Sequence, residues 1–453
     1  LSVFRRILIA NRGEIALRVI RACKAMGIES VVVYSEADRD ASYIELADEA
    51  VCIGAPKAAK SYLDTNRVIA AAEITDSDAI HPGYGFLSEN SRFVEVVEAC
   101  GFTFIGPPAS VIASMGDKNT ARAMAREADV PIVPGSDGIV GTEDEAKLIA
   151  DELGYPVMVK ATAGGGGRGM RLVQSPGELL TAFHSARSEA DLAFGNPDVY
   201  IERLVTGPRH VEIQIIGDEH GNLVHLGERE CSIQRRHQKL LEESPSMALD
   251  PELRERMGAA AVELCRRAGY QNAGTVEFLV DDRRRFYFME LNARVQVEHP
   301  VTEMVTGIDI VQEQIRVAAG LPLSFRQEDV RLEGASIECR INAEDCDHDF
   351  RPSCGLIKRM FHPGGTGVRF DTHAYGGYTI SPHYDSMIGK LVVHAPTRDE
   401  AIGRMQRALE ECVIEGIATT VPFHRKILDD PRFRSGDYDT SFIAGMQTDE
   451  EAP

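Results

Sequence analysis

The chain has 453 residues, 43% hydrophobic and 26% charged, the proportions of an ordinary globular protein. Its formal net charge of −21 argues against nonspecific nucleic-acid binding, which depends on Lys and Arg displacing counterions from phosphate. The length exceeds what one hydrophobic core serves and predicts about three domains, and no apolar run approaches the ~18 residues of a membrane span. Nine cysteines without a Cys-x-x-Cys pair fit a reducing, cytoplasmic setting and indicate neither a disulfide framework nor a zinc site. The opening Phe4-Arg-Arg-Ile-Leu-Ile-Ala-Asn has too short an apolar part for a signal peptide.

Ile7-Leu-Ile-Ala reads as a buried strand, and Asn11-Arg-Gly-Glu opens a helix to Met26. Ser30-Val-Val-Val-Tyr and Ala50-Val-Cys-Ile-Gly are further strands alternating with helices, as in a doubly wound parallel sheet. The first strand–helix turn lacks Gly-x-Gly-x-x-Gly, so a dinucleotide is not expected. His81-Pro-Gly-Tyr84-Gly-Phe-Leu-Ser-Glu-Asn follows the strand at Ala79-Ile80, where ligands gather in open α/β sheets, although a tight turn around a packed Tyr84 fits as well.

Met115-Gly-Asp-Lys118 leads into a helix, and Tyr155-Pro-Val-Met-Val-Lys160 is a strand. Ala163-Gly-Gly-Gly-Gly-Arg-Gly169 then joins it to a second strand at Met170-Arg-Leu-Val173. A Walker loop would continue with Gly-Lys-Ser/Thr and a helix, and both are missing. Glycines such as Gly165 and Gly166 let backbone N–H groups approach phosphate closely, so the run fits a mobile hairpin over a nucleotide triphosphate with Lys160 beside it; a bare flexible turn is the alternative. Val199–Val205 and Arg209–Ile216 are strands, and another begins at Leu223. It runs into the cation-dense Glu228-Arg-Glu-Cys-Ser-Ile-Gln-Arg-Arg-His-Gln-Lys239, which implies an anion nearby or a solvated loop.

After a helix from Pro251 to Gly269 come the strands Thr275–Val280 and Phe286–Glu290 around the polar turn Asp281–Arg285. A turn centred between Arg283 and Arg284 places Glu277 opposite Glu290, where like charges are destabilising. Two such carboxylates call for a cation, and all-oxygen ligands select Mg²⁺ or Mn²⁺, with Asn292 able to add a third oxygen. Arg294, Gln296 and Glu298 continue the period of two, predicting one strand edge of alternating charge and amide, unless that edge simply faces water. A helical stretch from Val301, a linker at Leu321-Pro-Leu and strands near Ala335–Ile341, Gly355–Phe361, Thr379–Ser381 and Leu391–His394 complete the chain.

The glycine hairpin, Met-Gly-Asp-Lys118, Glu-Cys-Ser-Ile-Gln-Arg-Arg-His-Gln-Lys239 and Glu290-Leu-Asn-Ala-Arg-Val-Gln-Val-Glu-His, in that order, resemble the biotin carboxylase family over nearly the whole chain, through Tyr384-Asp-Ser-Met-Ile-Gly-Lys-Leu. The resemblance implies a mixed α/β and α+β fold. Residues 1–115 would form a doubly wound domain, 116–330 an ATP-grasp domain with a lid at about 132–204, and 331–446 an α+β C-terminal domain. It implies that Lys118, Lys160, His210 and Lys239 surround the phosphates of substrate ATP, that Glu202, Arg203 and Val205 border the adenine, and that Gln234 and His237 lie near the ribose. Arg203 departs from the Lys of many relatives, with little consequence expected because that linker contributes backbone groups. Glu277 and Glu290 would bind the metal. Glu298 would be the base for bicarbonate, held by Arg294, Gln296 and the Val297 N–H, and Arg340 would stabilise the biotin enolate. No biotinyl Met-Lys-Met motif occurs, so the resemblance implies a stand-alone subunit of bacterial-type acetyl-CoA carboxylase, working with a biotin carboxyl carrier protein and carboxyltransferase subunits. Members of the family are often homodimers. Another carboxylase component, or another ATP-grasp ligase lacking the Arg-Val-Gln-Val-Glu-His run, are the alternatives.

Overall fold

The computed structural model describes residues 4–162 and 169–451. The expectation for Gly165 and Gly166 therefore lies outside the described residues. Arg6–Ile9 (β1) forms the centre of a parallel sheet of five strands in the order β3-β2-β1-β4-β5, with β2 at Glu29–Ser35, β3 at Glu49–Gly54, β4 at Ala79–His81 and β5 at Thr103–Phe104. Ile7, Leu8 and Ile9 are fully buried, as a central parallel strand covered on both faces requires. The helix Gly13–Met26 (α1) stops at Gly27, whose φ of 70° suits the left-handed C-cap and whose N–H bonds back to Cys23 and Lys24. The loop after β4 is locked to the start of α1 by the Asn11 amide, which donates to the carbonyls of Pro82 and Tyr84.

Val157–Ala161 (β6), Met170–Val173 (β7) and Val199–Arg203 (β8) make a separate three-stranded antiparallel sheet in the order β7-β6-β8. It has its own small core of residues such as Val157, Val159, Phe183 and Ile201. As expected, the glycine run connects two antiparallel strands.

The largest sheet has eight strands. It runs from Phe286–Asn292 (β13) through Asn272–Val280 (β12), Arg209–Gly217 (β9), Leu223–Arg235 (β10), Gln238–Ser244 (β11) and Ala335–Asn342 (β14) to the strands Met387–Ala395 and Val368–Thr372. Strands on both sides of the Leu321-Pro-Leu linker thus belong to one sheet, a continuity that local periodicity does not reveal. The strand at Val368–Thr372 was not anticipated, and the Gly355–Phe361 segment divides into two short strands.

The pairing of Glu277 with Glu290 is present, but the turn does not produce it. Next to the turn, Val280 pairs with Phe286, Leu279 with Tyr287 and Phe278 with Phe288, which centres the turn on Arg283. A bulge at Met289 then shifts the register by one, bringing Glu290 opposite Glu277. The expected strand continuation through Arg294, Gln296 and Glu298 does not occur. β13 ends at Asn292, and residues 293–298 form an irregular connection to the helix His299–Thr306.

A buried ion-pair network ties α1 to the far end of the large sheet. Arg18 bonds Glu303 at 2.7 Å and Asp309 at 2.6 Å, Arg369 bonds Glu303 at 2.7 Å, and Arg369 also bonds Asp371 at 2.6 Å. Burial opposes ionisation of Asp371, but Arg369 outweighs it and lowers the carboxyl to about 2, from the ordinary 3.8. A depressed carboxyl adds stability that is fully present above its unfolded value and is lost as pH falls through the folded one. Asp371→Asn is expected to lower stability by roughly 3–5 kcal/mol at neutral pH, because it strands buried Arg369. Denaturant titrations of both proteins should converge near pH 2; a deficit constant from pH 7 to pH 2 would contradict the assignment.

Candidate active site

Between the three-stranded sheet and the large sheet lies a cavity of about 520 Å³. Ten of the residues singled out in the sequence line it: Lys118, Lys160, Glu202, Arg203, Val205, His210, Gln234, His237, Glu277 and Glu290. Met158, Leu279 and Phe288 supply an apolar wall, so the space has one greasy side and one side of cations and carboxylates. Lys160 projects from β6 and bonds Glu202 on the neighbouring β8 at 2.6 Å. Arg122, which sequence reading missed, also bonds Glu202. It stands four residues after Lys118 in the helix Lys118–Glu127, and that spacing places both on one helical face.

Beneath the cavity is a row of charges across four strands. Glu290 on β13 faces Glu277 on β12, Glu277 faces Glu212 on β9, and Glu212 faces Arg229 on β10. Lys239, from β11, bonds Glu212 at 2.5 Å, Glu277 at 2.9 Å and Glu298 at 2.6 Å. Burial disfavours ionised Glu277, yet Lys239 and His210 hold it well below the usual carboxylate range. Burial likewise opposes the charge on His210, and Glu277 at 3.0 Å raises it. Partial desolvation and facing Glu277 raise Glu290; because the residue is exposed to the cleft, the neighbouring charge matters more. Glu212 was not picked out, although His210, Glu212 and Gln214 alternate with apolar residues along β9 and so share one face.

The irregular 293–298 segment brings its side chains to this row from one end. Gln296 donates to Glu277 at 2.9 Å, and Asn292 donates to the same oxygen at 3.0 Å. The Asn292 carbonyl oxygen accepts from Arg294, whose guanidinium also bonds Glu89 at 2.9 Å. Glu298 lies between Lys239 and Arg340, the latter at 3.0 Å. Against the cost of burial, Lys239, Arg340 and Arg229 keep Glu298 ionised well below the ordinary range. Arg340 reaches Glu242 on β11 with its other donors. Val297 is anchored through its carbonyl by buried Lys390 at 2.8 Å.

Two expectations are corrected. The cation-dense run does not converge on one anion: Arg229 is wholly buried against Glu212 and Gln214, while Arg235 and Arg236 turn to Asp349. Only Gln234, His237 and Lys239 from that run serve the cavity and the charges below it. Tyr84 does not line the cavity; its hydroxyl donates to Glu14, under the Arg340 side of the cluster.

Residues 3–112 match the family "Biotin carboxylase, N-terminal domain", residues 117–326 "Carbamoyl-phosphate synthase L chain, ATP binding domain", and residues 338–445 "Biotin carboxylase C-terminal domain". A biotin carboxylase from a Nostoc species is 58% identical over 443 residues, covering 98% of this chain and 99% of its own.

This chain belongs to the biotin carboxylase family.

It is accordingly an ATP-grasp ligase of the ATP-dependent biotin carboxylases. A biotin carboxylase crystallised as an ATP complex, from Campylobacter jejuni, superposes with a TM-score of 0.93 at 50% identity, over 98% of this chain and 99% of its own. Similar too is the biotin carboxylase domain dimer of Hydrogenobacter thermophilus 2-oxoglutarate carboxylase, solved with MgADP, ADP and bicarbonate, with a TM-score of 0.92, 49% identity and 98% coverage of both chains. As in any biotin carboxylase, anionic substrates must enter a site already crowded with carboxylates, so the cation among them is decisive. Among the described residues, no helix is long and apolar enough to cross a membrane.

Lys239→Met should lower stability by about 3–5 kcal/mol at pH 7.5, since it leaves buried carboxylates uncompensated. Those carboxylates would then bind protons more readily when folded than unfolded, so the deficit should shrink as pH falls. Thermal midpoints from pH 5 to pH 8 check this, and a pH-independent deficit would point to lost side-chain packing instead.

Proposed function

We propose that this biotin carboxylase performs the first half-reaction of acetyl-CoA carboxylase: ATP and bicarbonate form carboxyphosphate, and the carboxyl passes to biotin on a separate carrier protein. The observation that carries this reading is the contact chain Lys239–Glu298–Arg340, which joins the cavity floor to β14 of the C-terminal region. It connects a base suited to bicarbonate with a fixed cation suited to the biotin ring. Residues 1–115, 116–330 and 331–446 are proposed as the three domains that meet around it, and carboxyltransferase subunits as partners of the complete enzyme. A component of another acyl-CoA or pyruvate carboxylase is the second reading, favoured by the likeness to a 2-oxoglutarate carboxylase domain.

Lys118, Lys160 and His210 line the cavity where the phosphates of ATP would lie, and Glu202, Arg203 and Val205 the end where the base would lie. Glu277 and Glu290, two facing carboxylates with nearby Asn292, fit a hard divalent cation such as Mg²⁺. Such an ion would neutralise charge on the transferring phosphoryl group. Glu298 takes the bicarbonate proton as the bicarbonate oxygen bonds the γ-phosphorus and the bond to ADP breaks. Lys239 and Arg340 keep Glu298 ionised and ready to accept, but they also weaken it as a base. Anionic substrate drawing Lys239 towards itself would restore that basicity. Arg294, Gln296 and the Val297 N–H are positioned to orient bicarbonate beside Glu298. The carboxyl then bonds the biotin N1′ nitrogen as phosphate leaves, with Arg340 stabilising the enolate oxygen of the ring.

Release of ADP, followed with and without bicarbonate and free biotin, tests the reading: stimulation that requires both supports it, and biotin-independent turnover at full rate contradicts it. Glu298→Gln is expected to lower bicarbonate-dependent turnover by ~10²–10⁴-fold while nucleotide affinity persists; near-normal turnover would remove Glu298 from the base role. Arg340→Ala should cut carboxybiotin formed per ADP released by roughly 10²–10³-fold, leaving part of the bicarbonate-dependent ATP cleavage. If both activities fell together with the thermal midpoint, Arg340 would be a structural ion-pair partner only. Supplying purified biotinylated carriers in turn, and measuring which is carboxylated fastest, separates acetyl-CoA carboxylase from the second reading.

A further inference from the structure

Behind Arg340 lies a second pair of facing carboxyls that the reaction as described does not use. Glu242 on β11 stands directly opposite Glu338 on β14, and both are completely buried. Directly opposed side chains are about 4.5–5.5 Å apart at Cβ, a spacing at which two full negative charges repel strongly in a dry interior. One Glu242 oxygen accepts from Arg340 at 2.6 Å. Its other oxygen, and both oxygens of Glu338, are buried without a hydrogen-bond partner among the described residues. Ionised carboxylates only accept hydrogen bonds, so a proton on one of the two is the change that lets these oxygens bond each other.

We propose that Glu338 is a positioning residue for Arg340: it holds a proton shared with Glu242, so that the pair presents one negative charge to the guanidinium rather than two. Resting on the enolate role of Arg340 given above, this explains how Arg340 can be anchored yet remain available to a ligand. One charge fixes the Arg340 head through Glu242, and a second would bind it so tightly that Glu298 and substrate could not share it.

The surroundings agree. Glu338 faces Glu242 on β11, Lys390 on the strand Met387–Ala395, Arg340 on its own strand and Glu298 on the connecting segment. Lys390 stands opposite Arg340 and is paired with Glu14 of α1, which leaves it little charge to spare for Glu338. His299 of the following helix and His424, which bonds the Arg340 carbonyl, are both held neutral chiefly by burial. Burial and the Glu242 charge, against the pull of Lys390, keep Glu338 well above the carboxylate range. Burial also raises Glu242, against Arg340, to about 7. The shared proton is therefore kept at neutral pH and lost only as pH rises.

Infrared difference spectra of wild type and Glu338→Gln at pH 7.5 test the proton directly. A protonated-carboxyl stretch in the wild type that disappears in the variant is expected; its absence from the wild type overturns the proposal. The positioning claim is tested by carboxybiotin formed per ADP released across pH 6–10. Glu338→Ala should lose roughly ten- to a hundredfold, because it leaves Glu242 unsatisfied beside Arg340. Glu338→Gln, a neutral group of the same shape, should rescue most of that loss and abolish the alkaline decline seen in the wild type. Gln failing as badly as Ala, or Ala coupling normally, overturns the positioning role. If instead Arg340→Ala itself couples normally, the enolate role of Arg340 fails, while the infrared result still decides whether the proton is there.

Discussion

The site depends on one ammonium group. Three glutamates, Glu290, Glu277 and Glu212, stand side by side on adjacent strands, an arrangement that folding would not tolerate unaided. Lys239 answers two of them and reaches Glu298 as well, while Arg229 closes the row behind Glu212. Three carboxylates on one lysine make a compact, dry and nearly neutral floor. The same lysine is the group that an incoming phosphate would compete for. Structural cohesion and substrate binding are thus drawn from a single positive charge, and the acids released by that competition are the ones the chemistry calls on.

Much of this was legible from residue order. The parallel sheet followed from buried apolar runs alternating with helices, and the antiparallel hairpin around the glycines followed from a strand on each side. The cavity-lining set was readable only through long motifs, because Lys118, Lys160, His210 and Glu277 belong to different elements and nothing local relates them. The facing of Glu277 and Glu290 illustrates how a correct pairing can have another cause. Counting from the turn ignored the bulge at Met289, and an offset in the turn itself happened to compensate.

What was not legible is instructive in a different way. Arg294, Gln296 and Glu298 alternate in the sequence as a strand would, yet backbone irregularity, not pleating, aims them. Arg294 turns to Glu89 and Gln296 to Glu277, so charge partners chose the directions. Glu212, Glu242 and Glu338 escaped attention because a buried acid announces itself only once its partners are known. The cationic run from Arg229 to Lys239 misled for the same reason, since most of its charge is answered within the fold.

The eight-stranded sheet carries a consequence for how the molecule opens. Both ends of the reaction path, the cavity wall on β13 and Arg340 on β14, hang from one continuous ladder of backbone hydrogen bonds. The three-stranded sheet has a ladder and a core of its own. Amide protons in the two should therefore exchange with solvent in separate cooperative units. The small sheet can unfold and refold on its own, like a hatch, while the large one keeps the distance between base and guanidinium constant through every such excursion.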